Sequence, residues 1–210
     1  MNKQGLLIVI SGFSGAGKGT VVKKIVEEHH YKISISGTTR KPRVGEENGR
    51  EYFFLTREEF ESMIKDSQLI EWAEYVGNYY GTPKKYVMEE LNKGNHVILE
   101  IEIQGALKVK EKFPEALLLF LTPPSATCLR ERLIQRGTED MDTVNKRMAR
   151  SYEEAVYMKD YDYIVMNDQL EDCVEQVHSI VINEKSRTKR NEAFIQKMNR
   201  ELQVFSKGEK

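Results

Sequence analysis

Gly12-Phe13-Ser14-Gly15-Ala16-Gly17-Lys18 sets three glycines and a lysine in one short turn, with the spacing G-x-x-x-x-G-K. Each residue type has a use there. Glycines let the backbone bend sharply and aim several N–H groups at one anion. A helix opening near Lys18 points its positive end at the same place. Lys18 then adds a point charge suited to the β- and γ-phosphates of a nucleotide. Gly12, Phe13, Ser14, Gly15, Ala16, Gly17, Lys18, Gly19 and Thr20 are therefore the candidate ATP-binding loop. Gly19 stands where a Ser or Thr would offer a hydroxyl to magnesium, and Thr20 follows it.

The flanking elements support that chemistry. Leu6 to Ile10 is a continuous apolar run, which reads as a strand buried on both faces. Thr20 to His29 carries Val21, Val22, Ile25 and Val26 on one helical stripe. Further apolar runs at His96–Ile101, Ala116–Leu121 and Tyr163–Met166 alternate with helical patterns around Ala106–Glu111, Ser125–Arg136 and Asp172–Val181. This alternation predicts an α/β fold: a three-layer α/β/α core of the P-loop NTPase type around a parallel sheet. Residues 36–94 break the rhythm. Within them Thr56-Arg57-Glu58-Glu59 is a capping box, Leu69–Val76 a strand, and Pro83 suits the first turn of a helix ending near Gly94. The predicted division is a core of 1–35, 95–136 and 151–184, an inserted lobe at 36–94, a charged lid at 137–150, and a charged tail at 185–210 with one weakly amphipathic helix.

Composition bounds the function. The 210 residues are 40 % apolar and 31 % charged, which excludes a disordered or disulfide-stapled class. A net charge of -1 gives no global attraction to nucleic acid or anionic membrane. Cys128 and Cys173 lack metal-ligand spacing and read as buried free thiols, which suits a reducing compartment. The short N-terminal apolar run is neither a signal core nor a membrane span, so the expected location is the cytoplasm. His29, His30, His96 and His178 show no ligand spacing.

Ser36-Gly37-Thr38-Thr39-Arg40-Lys41-Pro42-Arg43-Val44-Gly45-Glu46, then Gly49 and Tyr52, closely resembles the substrate-binding stretch of guanylate kinases. In matching order follow Ile70-Glu71-Trp72-Ala73, Gly77-Asn78-Tyr79-Tyr80-Gly81-Thr82, Leu99-Glu100-Ile101-Glu102 with Gln104-Gly105, Arg132-Leu133, Arg136-Gly137-Thr138-Glu139, Asn145-Lys146-Arg147 and Asn167-Asp168. The resemblance spans roughly residues 5–183. It implies phosphoryl transfer from ATP to GMP, with dGMP expected to be accepted as well, since no residue identified reads the ribose 2′-hydroxyl. The G-K-G-T ending is similar to that of nucleoside monophosphate kinases, in which Mg²⁺ is held mainly by ATP phosphates and water. No N-K-x-D guanine motif of switch GTPases occurs.

The residue chemistry is consistent with this. Arg40 and Arg43, on a turn containing Pro42, suit bidentate contacts to a phosphate dianion, and Tyr52 and Tyr80 can donate to the same oxygens. Guanine presents N1–H and an N2 amino group as donors and O6 as acceptor. By resemblance, Glu71 and Glu102 take the donors, and Ser36 and Thr82 serve O6. Glu102 departs from the Asp of many members. The acceptor phosphate is already anionic, so catalysis needs cations and positioning rather than a general base. Lys18, Arg43, Arg132, Arg136 and Arg147 are the candidate catalytic cations, with surface ion pairing the alternative for the last three. Asn167 and Asp168 match the segment beside the ATP adenine, although Asp168-Gln169-Leu170-Glu171 reads equally well as a helix capping box. A catalytically inert binding module and a kinase for another monophosphate remain the rival readings. Oligomeric state is left open.

Overall fold

The computed structural model describes residues 4–75, 77–135 and 140–206. Strands β1 (Leu7–Gly12), β2 (Lys32–Ile33), β7 (Val97–Glu100), β8 (Leu117–Thr122) and β9 (Tyr163–Met166) form a sheet in the order β2-β7-β1-β8-β9. Every pairing is parallel, with Leu7 opposite Val97 and Ile8 opposite Leu117. The period of two along each strand divides the core. Val9, Leu99, Leu118 and Phe120 pack on one face with residues of α3 (Lys84–Asn92), α4 (Ile103–Lys112), α5 (Ala126–Gln135) and α6 (Met141–Ala155). Ile8, Ile10, Ile98, Leu119 and Leu121 pack on the other with α1 (Lys18–His29) and α7 (Leu170–Lys185). Continuous apolar runs are thus explained: each successive side chain enters a core, on alternating sides.

A second sheet lies within the 36–94 segment: β3 (Gly37–Thr38), β4 (Phe53–Phe54), β5 (Leu69–Tyr75) and β6 (Asn78–Pro83), in the order β4-β3-β6-β5. Beside it runs α2 (Arg57–Lys65), opened by the expected capping box: Thr56 accepts from the Glu59 N–H and Glu59 accepts from the Thr56 N–H. Phe60, fully buried, stacks on Tyr79 at 5.3 Å and fixes α2 to this sheet. Val87 and Leu91 of α3 lie in the main core cluster.

Several local expectations are corrected. Pro83 is the N-cap of α3 rather than a residue of its first turn. The Asp168 capping box does not form: Gln169 is the N-cap of α7, without a side-chain cap bond. Cys173 is buried but Cys128 is only half-buried, since the buried positions of α5 are Leu129 and Leu133. The strand expected from His96 begins at Val97, and the His96 ring instead accepts the Leu6 N–H at 3.0 Å. The tail carries α8 (Glu192–Ser206) and is anchored at its root, where Arg187 and Arg190 reach the buried Glu184. Arg136, residues 137–139 of the expected lid, and Val76 of the expected strand lie outside the described residues.

Candidate active site

The glycine turn joins the C-terminal end of β1 to α1. Gly15 and Gly17 take φ values of +95° and +89°, the left-handed region that glycine enters without penalty. Lys18 folds back over the turn, its ammonium donating to the carbonyls of Gly12 at 2.7 Å and Phe13 at 3.2 Å. Phe13 is the turn's apolar anchor, edge-on to Phe120 at 5.0 Å. Arg147, from α6, donates to the Ser14 hydroxyl, so one expected lid cation already touches the loop.

Asn167 packs against the phosphate loop. It is only 7 % exposed, and its amide donates to the Ala16 carbonyl at 2.8 Å. A Cβ on Gly17 would come within 2.5 Å of the same amide nitrogen. The Asn167 carbonyl accepts from Arg132 at 2.8 Å. Asn167 thus straps the phosphate loop to the end of β9 and orients Arg132. Asp168 beside it is exposed.

Glu71 and Thr82 meet across β5 and β6. Glu71 is 4 % exposed and accepts the Thr82 hydroxyl at 2.7 Å. Burial pushes its carboxyl above the usual carboxylate range, opposed by the Thr82 bond and by Lys108 and Lys112. A Cβ on Gly105 would lie 2.9 Å from Glu71 Oε2, so only glycine there lets the carboxylate rest on the first turn of α4. Glu102 is the N-cap of that helix, with a side chain 70 % exposed and 3.7 Å from Arg150. The two acidic side chains therefore bracket one helix start: Glu71 is held rigidly, Glu102 stands at the mouth.

Arg40 and Tyr52 converge, with the guanidinium 5.5 Å from the ring centroid, and the Tyr80 ring lies 6.0 Å from that of Tyr52. Arg40 is bonded to Glu46 at 2.9 Å, and Glu46 also accepts the Arg43 N–H at 2.7 Å. Ser36 is half-buried; its carbonyl accepts from Phe53. Arg43 is exposed, and its guanidinium has no hydrogen-bond partner among the described residues.

Two residues were missed as site candidates. Glu46, six positions after Arg40 across a proline turn, holds that arginine in place. Glu100 ends β7, and burial raises its carboxyl while Lys18 opposes the rise. The same carboxylate is also felt at Tyr52 and lies 3.7 Å from where a Gly19 Cβ would stand. Glu100 therefore sits between the phosphate loop and the Arg40–Tyr52–Tyr80 group. An acid closing an apolar strand beside the glycine turn was the available signal.

A parallel sheet with a phosphate loop at its carboxyl end, facing a second sheet with a buried carboxylate, defines a nucleotide-binding protein of the P-loop class. Comparison with known proteins narrows the class. The guanylate kinase family model matches residues 4–184. A guanylate kinase of Caldanaerobacter subterraneus subsp. tengcongensis is 51 % identical over 96 % of this chain and 98 % of its own. One from Bacillus cereus is 50 % identical over 94 % and 97 %. A crystal structure of guanylate kinase from Anaplasma phagocytophilum superposes with a TM-score of 0.73 at 31 % identity, covering 90 % and 91 % of the two chains. The chain belongs to the guanylate kinase family. Among the described residues, no helix is long and apolar enough to cross a membrane.

Proposed function

We propose that this protein is a cytoplasmic kinase that transfers the γ-phosphoryl group of ATP to GMP, and to dGMP, giving ADP and the nucleoside diphosphate. The observation that carries the guanine assignment is Glu71: a carboxylate buried at 4 % exposure, with Thr82 on one oxygen. A buried carboxylate is costly unless something compensates it. Guanine, with two adjacent donors, supplies that compensation; adenine does not.

In the reaction, the loop N–H groups and Lys18 hold the ATP phosphates. Arg40, Arg43, Tyr52 and Tyr80 hold the acceptor phosphate, with Glu46 keeping Arg40 aimed. An oxygen of that phosphate forms a bond to the γ-phosphorus while the bond to the β,γ-bridging oxygen breaks. Arg132, Arg136 and Arg147 stabilise the charge on the transferring group. Mg²⁺, when bound with ATP, would supply neutralisation of phosphate charge. The residues fit a hard cation carried mainly by phosphates and water, since Gly19 offers no hydroxyl, and the Glu100 carboxylate beside Gly19 would be a nearby oxygen donor. Residues 36–94 form the acceptor lobe and 137–150 the lid over a core of 1–35, 95–136 and 151–184, with 185–210 a tail.

Coupled measurement of ADP release with GMP, dGMP, AMP, CMP, UMP and dTMP tests the reading. Strong preference for GMP and dGMP is expected, with AMP used only weakly. No turnover with any of them would replace the kinase by a binding module, and preference for another base would remove Glu71 as the reader.

A further inference from the structure

α4 belongs to the core, yet one of its faces is turned to the second sheet. Gly105, Lys108 and Lys112 are spaced three and four residues apart and so share a helical stripe. Gly105 is where the Glu71 carboxylate lands. The two lysines do something else. Lys108 donates to the carbonyl of Trp72 at 2.9 Å, its ammonium 5.6 Å from the Trp72 ring centroid. Lys112 donates to the carbonyl of Ile70 at 3.1 Å.

Ile70 and Trp72 flank Glu71. β5 is the last strand of its sheet, so its outer carbonyls have no strand partner there. Alternate carbonyls of a strand point the same way, and an open edge leaves them to other donors. Two lysines on one helix stripe meet two alternate carbonyls, with the carboxylate between them set on the same stripe. β5 also changes register against β6 between Leu69 and Trp72, the stretch that contains Glu71. Strand pairing is irregular at the point where the two lysines hold the opposite edge.

We propose that Lys108 and Lys112 are positioning residues for guanine recognition: they lock the free edge of β5 to α4 and fix the direction in which Glu71 meets the base. The proposal rests on the reading of Glu71 given above. A lysine at each carbonyl holds the strand at two points, so Glu71 cannot rotate about the strand axis away from Gly105. The same ammonium groups supply the cations facing the carboxylate from α4, while β6 contributes only the neutral Thr82 hydroxyl. They therefore favour the ionised form that guanine requires.

The test is K108M/K112M in the full-length protein, which removes both donors and both charges but keeps the aliphatic stems. Steady-state kinetics with GMP and with AMP, the KM for ATP, and the pH profile of kcat/KM for GMP are the readouts. Expected is a fall of about ten- to thirty-fold in kcat/KM for GMP, with AMP falling less than about three-fold. KM for ATP stays unchanged, and the acid limb of the GMP profile moves to higher pH. K108R/K112R, which can still donate and carry charge, restores GMP use. Equal losses for GMP and AMP, an acid limb that does not move, or failure of the arginine pair to rescue would overturn the proposal. If the double variant does not fold, K108M and K112M singly carry the same readouts at smaller amplitude. E71Q, measured alongside, separates the two levels. If it narrows the GMP/AMP preference while K108M/K112M does not, only the positioning role fails. If E71Q leaves the preference intact, the Glu71 reading fails and the proposal with it.

Discussion

Glu71→Gln separates recognition from stability. The side chain keeps its shape, and its remaining carbonyl oxygen still accepts the Thr82 hydroxyl now bonded at 2.7 Å. The second oxygen becomes an amide that donates toward a base that also donates. One charge-assisted hydrogen bond is lost, and a donor faces a donor. Together these are worth about 2–3 kcal/mol, or roughly 30- to 150-fold in kcat/KM at about 1.4 kcal/mol per decade. AMP offers neither donor, so its weak use should fall far less. Stability should move the other way. Burial raises the Glu71 carboxyl above its ordinary value of 4.5, so the folded state binds that proton more tightly than the unfolded one. The wild type therefore loses stability as pH rises above the unfolded value, and the glutamine variant is spared that loss. The assay pairs GMP and AMP kinetics with Tm at pH 5 and pH 8. A variant with an unchanged or raised Tm at pH 8 and a narrowed GMP/AMP ratio is expected. A lowered Tm with equal losses on both nucleotides would refute the reasoning and make Glu71 a structural residue of the lobe.

Three further outcomes follow. Lys18→Ala should cost roughly 3–5 kcal/mol of transition-state stabilisation, about two to four orders of magnitude in kcat, with little change in Tm because Lys18 is only half-buried on the loop; near-normal turnover would contradict it. Gly17→Ala must adopt a φ of +89° and meet the Asn167 amide at 2.5 Å, so folding stability should fall by at least the ~1–2 kcal/mol of left-handed strain, with Tm and ATP affinity falling alongside; adding Asn167→Ala should relieve the clash but not the strain, as calorimetry and ATP titration would show. His96 is held neutral, its pKa lowered from 6.5 to about 4 chiefly by burial, and its Nδ1 accepts the Leu6 N–H. Its contribution is fully present above pH 6.5 and should be lost as pH falls from 6.5 toward 4; His96→Gln should flatten that stretch of the stability–pH curve, and an unchanged curve would exclude His96 as its source.

Neighbouring residues alone determine part of this molecule. The strand runs, the phosphate turn and the Thr56 capping box rest on side-chain periodicity, positive φ and hydrogen bonds three residues apart, so they could be read along the chain. The guanylate kinase resemblance placed Glu71 beside Thr82 in role, and the structure puts them in contact. Other features depend on which elements pack together. Asn167 and Asp168 read equally well as an adenine contact or a helix cap. Only the parallel pairing of β8 with β9 carries Asn167, 151 positions from Ala16, onto the phosphate loop. Arg40 looked like a free phosphate ligand until the 40–46 turn closed it onto Glu46. Gly105, Lys108 and Lys112 are an unremarkable helix stripe in sequence. Their partners are carbonyls of a strand some forty residues earlier, and backbone carbonyls carry no sequence signature. Where a contact joins a side chain to the backbone of a distant element, residue identity specifies one half of it, and the tertiary register decides the other.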